Sequence, residues 1–217
     1  MTSSLWLASA SQRRTTWLQN RFPELNLEAR PLLDHSERMA SGVSVKEQVE
    51  GICRSKVDAA LAVWPEQDEG LVVMVADTLV SDPDDALLSL GQPADELSAL
   101  AMLMRLSGRR HAVWSATALF SCSDQYRPQA EDSGEELLLA PGFSGRIWVE
   151  RALVEIEELS EDVLETLLQS ASWKGKAGGY DLAGAMAEHA HLVAGDEVVV
   201  LGLAMAAIEA LENHLSG

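Results

Sequence analysis

The sequence predicts an α/β fold in a single domain spanning residues 1–217. Three observations predict it. Apolar, β-branched runs of strand length occur at residues 5–10, 71–76, 111–120 and 146–156. In the first half of the chain they alternate with segments of helical period. Start and stop signals flank those segments, with Ser and Asp before them and Gly and Pro after. The balance of 47% hydrophobic and 23% charged residues is that of a globular chain. A chain of 217 residues makes one large domain or two tightly joined lobes.

Residues 5–10 read as a short buried strand, after which Ser9 and Ser11 stand where a helix begins. Arg13, Arg14, Trp17 and Leu18 continue that helix until Pro23 ends it. Residues 25–33 read as a second strand and 34–42 as a polar loop. Ser44 with Glu47 forms a capping box. It opens a helix whose apolar stripe includes Val45, Val49, Ile52 and Val57 and which stops at Pro65. The apolar strand 71–76 ends in Asp77 and Thr78. Gly91-Gln92-Pro93 precedes a helix over 95–106. Residues 111–120 and 146–156 are strands joined by a long acidic connection, 123–142. Ser160 caps a helix to about Gln169, residues 174–184 form a glycine-rich loop, 197–201 read as a short strand, and 203–215 close the chain as a helix.

A net charge of −18 argues against binding a nucleic-acid polymer, which needs clustered Lys and Arg. A single nucleotide is compatible with it, because a few local cations hold one phosphate chain. Cys53 and Cys122 have neither metal nor disulfide spacing and read as buried thiols. The sequence lacks a signal-peptide pattern and an apolar run of about 18 residues, so a cytoplasmic protein without a membrane span is expected.

Four constellations offer chemistry. In Ser9-Ala10-Ser11-Gln12-Arg13-Arg14, hydroxyls and two guanidiniums meet the free N–H groups of a helix start, which makes a phosphate site; read locally it is also an ordinary capped helix with surface arginines. Asp77-Thr78, at the carboxyl end of an apolar strand, suits a magnesium ligand, a water-activating carboxylate, or a turn cap. The loop Lys174-Gly175-Lys176-Ala177-Gly178-Gly179-Tyr180 brings backbone and two cations to a ligand, or is a flexible surface loop. Arg54 and Lys56 either face a phosphate chain or lie in solvent. His189 and His191 share one face if extended, but no third metal ligand accompanies them; they and His111 read as satisfied or exposed histidines.

These pieces fall in an order that resembles the Maf family of nucleotide pyrophosphatases. The carrying motifs are Leu7-Ala8-Ser9-Ala10-Ser11-Gln12-Arg13-Arg14, Ser55-Lys56-Val57, Ala76-Asp77-Thr78, Gly91-Gln92-Pro93 with Leu106-Ser107-Gly108 and His111, Gly175-Lys176-Ala177-Gly178-Gly179-Tyr180, and Val200-Leu201-Gly202-Leu203. The resemblance implies an elongated mixed β-sheet flanked by helices, with two lobes around a nucleotide-binding cleft. It implies hydrolysis of the α–β phosphate bond of nucleoside triphosphates, dTTP and UTP or modified nucleotides among them, with a divalent cation, Mg2+ or Mn2+. It implies a homodimer that clears non-canonical nucleotides or influences septum formation. Carried over, Asp77 is the proton acceptor or the metal-linked carboxylate. Ser11, Arg13, Arg14, Lys56 and Lys176 bind the substrate, and Arg13 and Thr78 match positions tied to substrate choice.

The chain departs from the family pattern at several places. His35 stands where an acidic residue is usual, with Glu37 nearby. Gln92 replaces a lysine, Ala183 a glutamine and Ala152 a threonine, and the 123–142 connection is long. These changes keep a second reading open: a nucleotide-binding or regulatory homologue with weakened or lost catalysis. A third reading, an interaction protein, rests on the acidic surface alone.

Overall fold

The structure is a computed structural model that describes residues 4–32, 42–65, 70–122 and 133–216. Its centre is an eight-stranded mixed sheet. Strand β1 (Ser4–Leu7) lies parallel to both β2 (Asn26–Ala29) and β3 (Leu71–Ser81). Strand β3 then pairs antiparallel with β5 (Arg110–Cys122) and β5 with β7 (Phe143–Ile156). Short strands complete the edges: β4 (Ser89–Leu90) on β3, and β6 (Glu135–Glu136) and β8 (Ala190–Ala194) on β7.

The helices form where the caps announce them. Helix α1 (Gln12–Arg21) starts at Ser11, whose side chain accepts from the backbone N–H of Arg14. Helix α2 (Val45–Ala62) carries the Ser44–Glu47 capping box, and α3 (Glu96–Leu106) is capped by Asp95. Helices α4 (Glu161–Gln169), α5 (Glu197–Leu201) and α6 (Met205–Ser216) follow. Burial of apolar side chains on both sheet faces holds this arrangement together. One cluster packs α2 (Val49, Ile52, Val57) against Val73, Val75 and Phe120. A second packs Leu18 and α6 (Ile208, Leu211) against Leu5, Leu7 and Met74. A third gathers Leu103, Leu106, Val154, Ile156 and Leu167 at the other end of the sheet.

Two expectations need correction. The strand ending in Asp77 runs on to Ser81, so Asp77 and Thr78 lie inside β3. They pair with Ala116 and Ser115 of β5 on one edge. The other edge is covered by β1 only as far as Met74 and by β4 only from Val80. The opening therefore lies beyond the carboxyl end of β1, while β3 passes through it. Residues 197–201 form a helix rather than a strand. The Asp196 side chain accepts from Val198 N–H at 2.8 Å, and Gly202 closes the turn in the left-handed region at φ 115°. Capping at both ends and burial of Val198, Val199 and Val200 outweigh the β preference of three consecutive valines. Of the 123–142 connection, residues 123–132 lie outside the described part.

Candidate active site

The cleft opens where β1 stops and the chain turns through Ala8–Ser11 into α1. It encloses about 350 Å3, and its walls include Ser9, Ser11, Arg13, Arg14, Lys56, Asp77, Thr78 and Gln92. Residues far apart in sequence thus meet on one opening. The start of α1 presents free backbone N–H groups and the positive end of the helix dipole. Ser11 uses a lone pair as the cap, so its hydroxyl proton remains available to an acceptor.

Asp77 and Lys56 face each other across the cleft floor. Lys56 Nζ donates to Asp77 Oδ1 at 2.6 Å, and both side chains are 12% exposed. The lysine of α2 is thus a buried partner of the β3 carboxylate, whereas Arg54 pairs with Glu50 and Glu135 instead of lining the cleft. Among the described residues Asp77 is the carboxylate that lines this cleft.

Arg14 spans the gap between α1 and β3. Its Nη1 donates to the Ala76 carbonyl at 3.1 Å and to Ser9 Oγ at 3.4 Å, and its Nη2 donates to Thr78 Oγ1 at 2.9 Å. Burial lowers its pKa below the ordinary arginine value, with the Asp77 charge opposing that shift. The Thr78 hydroxyl is fixed by a relay. Ser115 Oγ donates its single proton to the Val199 carbonyl at 2.7 Å, so in its 2.9 Å contact with Ser115 Oγ the Thr78 hydroxyl is the donor. Toward a ligand, Thr78 is left as an acceptor and as the group that aims Arg14.

Arg13 reaches the glycine-rich loop, where its Nη1 meets Asp181 Oδ1 at 3.3 Å. Lys176 Nζ approaches Asp181 Oδ2 at 3.3 Å and donates to the Ser172 carbonyl. Lys176 lies beside the cleft wall formed by Gly175 and Ala177. Within the loop, Ala177–Gly179 form a 3-10 turn, with Gly178 at φ 70°. Tyr180 ties it to the sheet through a 2.7 Å hydrogen bond with His111 Nε2. Burial lowers the His111 pKa to about 4 and raises that of the Tyr180 hydroxyl.

A family model described as Maf-like protein matches residues 4–214. The chain belongs to the Maf family. A dTTP/UTP pyrophosphatase of Burkholderia lata is 31% identical over 204 residues, covering 92% of this chain and 87% of its own length. The dTTP/UTP pyrophosphatase of Burkholderia thailandensis is 30% identical over 203 residues, with the same coverage. A solved structure of the Staphylococcus aureus Ham1 protein aligns over 71% of this chain and 72% of its own at 14% identity, with a TM-score of 0.41.

Among the Maf motif residues, Ser11, Arg13, Arg14, Lys56, Asp77 and Thr78 line one cleft, and Lys176 flanks it. Gln92 lines the cleft too, whereas Ala183 lines a neighbouring cavity. His35 and Glu37 lie outside the described residues. Three further residues matter. Asp181 pairs with two of the cations. Ser115 fixes Thr78. Gly202 leaves room for Arg14, since a Cβ there would lie 2.7 Å from Arg14 Nε and Nη2 and 2.9 Å from Thr78 Oγ1. A signal for Gly202 was present, a glycine just past a short helix, but the strand reading of 197–201 concealed it.

Outside the cleft, His191 pairs with Glu157 at 2.9 Å and is exposed. Cys53 is buried, and burial pushes its thiol to about 12; Cys122 is only half-buried. Among the described residues no three His, Cys, Asp or Glu side chains converge as a metal cluster, and no helix is long and apolar enough to cross a membrane.

Proposed function

We propose that this Maf protein hydrolyses nucleoside triphosphates to the monophosphate and pyrophosphate, with the dTTP and UTP of its relatives' names among the substrates. The carrying observation is one carboxylate, Asp77, facing a cleft whose other charged walls are Arg13 and Arg14 at the start of α1 and Lys56 of α2. Cleaving a phosphoanhydride requires charge neutralisation on the phosphate oxygens, an oriented water and a proton acceptor. Arg13, Arg14, Lys176 and the N–H groups of α1 bind the triphosphate, and the Ser11 hydroxyl donates to one of its oxygens. Water attacks the α-phosphorus, the bond to the α–β bridging oxygen breaks, and Asp77 takes the proton from the water. Lys56 orients that carboxylate. Pyrophosphate leaves with its negative charge held by the cations.

A divalent cation, Mg2+ or Mn2+, belongs to the same reading. Magnesium is commonly held by one or two carboxylates together with substrate phosphates, and Asp77 supplies one hard oxygen donor set. When bound, it neutralises charge on the phosphate oxygens. A homodimer, a cytoplasmic location, and two lobes that meet at the cleft within one domain complete the proposal.

Purified protein is incubated with a panel of nucleoside triphosphates and Mg2+ or Mn2+, and released pyrophosphate is assayed. Turnover that is lost in Asp77→Asn supports the reading. Nucleotide binding without pyrophosphate release would favour a homologue that has lost catalysis, the reading to which Gln92 and Ala183 lend themselves.

A further inference from the structure

Two of the cations assigned to the triphosphate already hold an anion of the protein's own. Arg13 Nη1 lies 3.3 Å from Asp181 Oδ1, and Lys176 Nζ lies 3.3 Å from Asp181 Oδ2. One carboxylate thus bridges the start of α1 and the glycine-rich loop at the edge of the cleft that Arg13 lines. Among the described residues the Arg13 guanidinium has no other hydrogen-bond acceptor than Asp181. Lys176 divides its donors between Asp181 and the Ser172 carbonyl.

These pairs are looser than the one at the reacting carboxylate. Charge-assisted hydrogen bonds close at about 2.7–2.9 Å. Lys56 meets Asp77 at 2.6 Å, whereas both Asp181 contacts are 3.3 Å and the Arg13 side chain is 30% exposed. Long contacts between partly exposed groups are weak ion pairs, so they exchange readily and brace the loop poorly. The anion is the fixed partner. Tyr180, one residue before it, is buried and tied to His111. Asp181 Oδ1 accepts the Ala183 N–H at 3.3 Å, and the Asp181 carbonyl accepts the Gly184 N–H at 3.1 Å. The turn closes so tightly that a Cβ on Gly184 would come within 3.0 Å of Asp181 Cβ. Arg13 and Lys176 stand on long flexible stems and are the groups that swing.

We propose that Asp181 is a resident anion that competes with the substrate's phosphates for Arg13 and Lys176. A triphosphate carries several negative charges against the one on Asp181, and on binding it draws both side chains over to its own oxygens. When pyrophosphate leaves, they return to Asp181. The carboxylate therefore weakens the hold on substrate and on pyrophosphate alike and favours product release. It acts through the two cations and takes no part in bond breaking, which makes it a positioning residue. The proposal rests on the pyrophosphatase reading for the nature of the phosphate ligand. A carboxylate that only braced the two cations would have the opposite sign, since its removal would weaken phosphate binding.

The experiment measures KM for UTP and the inhibition constant of inorganic pyrophosphate in the parent and in Asp181→Asn, with turnover followed by monophosphate formation. Asparagine keeps the shape of the side chain and an oxygen for the Ala183 N–H; Asp181→Ala takes its place if circular dichroism shows that Asp181→Asn does not fold. Both constants are expected to fall by about fivefold, as when a partly exposed ion pair no longer has to be broken on binding. In a background carrying Arg13→Gln and Lys176→Gln, the same substitution is expected to bring no gain. Constants unchanged or raised by loss of the carboxylate overturn the proposal. An undiminished gain in the double background also overturns it, because the effect would then come from the field of the charge and not from exchange of partners. If no nucleotide is turned over, the pyrophosphatase reading fails by itself. Calorimetric binding of inorganic pyrophosphate and tripolyphosphate to the same proteins then decides the role of Asp181, with tighter binding in the variant supporting it and equal or weaker binding overturning it.

Discussion

At the scale of single residues, the site depends on buried charges held by close partners, although the buried Nε of Arg14 has no hydrogen-bond acceptor among the described residues. Lys56 and Asp77 form a close pair with little solvent contact, so removing one leaves the other charge in a low-dielectric setting. Asp77→Asn is expected to lower kcat/KM by about 10²-fold or more, the usual worth of a proton acceptor, with folding retained by circular dichroism. Gly202→Ala tests the packing behind Arg14. It places a methyl group against the guanidinium and forces a side chain into the left-handed region, which costs about 1–3 kcal/mol. A lower Tm together with a raised KM is expected; an unchanged KM would show that Arg14 is not held by this contact. Ser11, Arg13, Arg14, Lys56 and Asp77 were legible in the sequence because each belongs to a short local motif. Asp181 was not, since it meets Arg13 across 168 positions and only the folded chain reveals the pairing.

At the scale of elements, caps read more reliably than propensities. The Ser44–Glu47 box and the Ser160 cap were visible as residue pairs and stand in the structure as hydrogen-bonded termini. The valine run of α5 was misleading because its fate is decided by Asp196, Gly202 and the core behind it. Asp196→Ala should therefore destabilise the protein by about 1 kcal/mol, the usual cost of a lost N-cap, measured by denaturant unfolding. The tether of the glycine-rich loop makes a prediction about pH. The folded-state pKa of His111 is about 4, below the ordinary 6.5, so between those values the unfolded chain binds more protons. Stability from this group is complete above pH 6.5 and is lost as pH falls toward 4, by up to about 1.4 kcal/mol per pH unit. The double variant His111→Phe with Tyr180→Phe should show a shallower decline over that window. Parallel pH curves for parent and variant would contradict the lowering of the His111 pKa by burial.

At the scale of the whole molecule, the sheet carries the cleft at its internal gap. Two core clusters hold the side formed by β1, α1, α2 and α6, and a third holds the side formed by α3, α4 and β8. The α/β class was legible from alternating strand and helix patterns. The gap along β3 was not, because it arises from where β1 and β4 stop pairing, and pairing limits leave no mark in composition. Nor does a net charge of −18 disclose a cationic cleft, which is built from a few residues brought together by folding. A nucleotide bound across this gap stabilises the folded chain as a unit, by about 2.7 kcal/mol at a hundredfold excess over Kd, which denaturant unfolding with and without nucleotide measures. The most direct test of the central claim is pyrophosphate release from a panel of nucleoside triphosphates by the parent protein and by Asp77→Asn. The account predicts turnover by the parent and near-complete loss in the variant; no turnover of any nucleotide, or equal turnover by the two proteins, would contradict it.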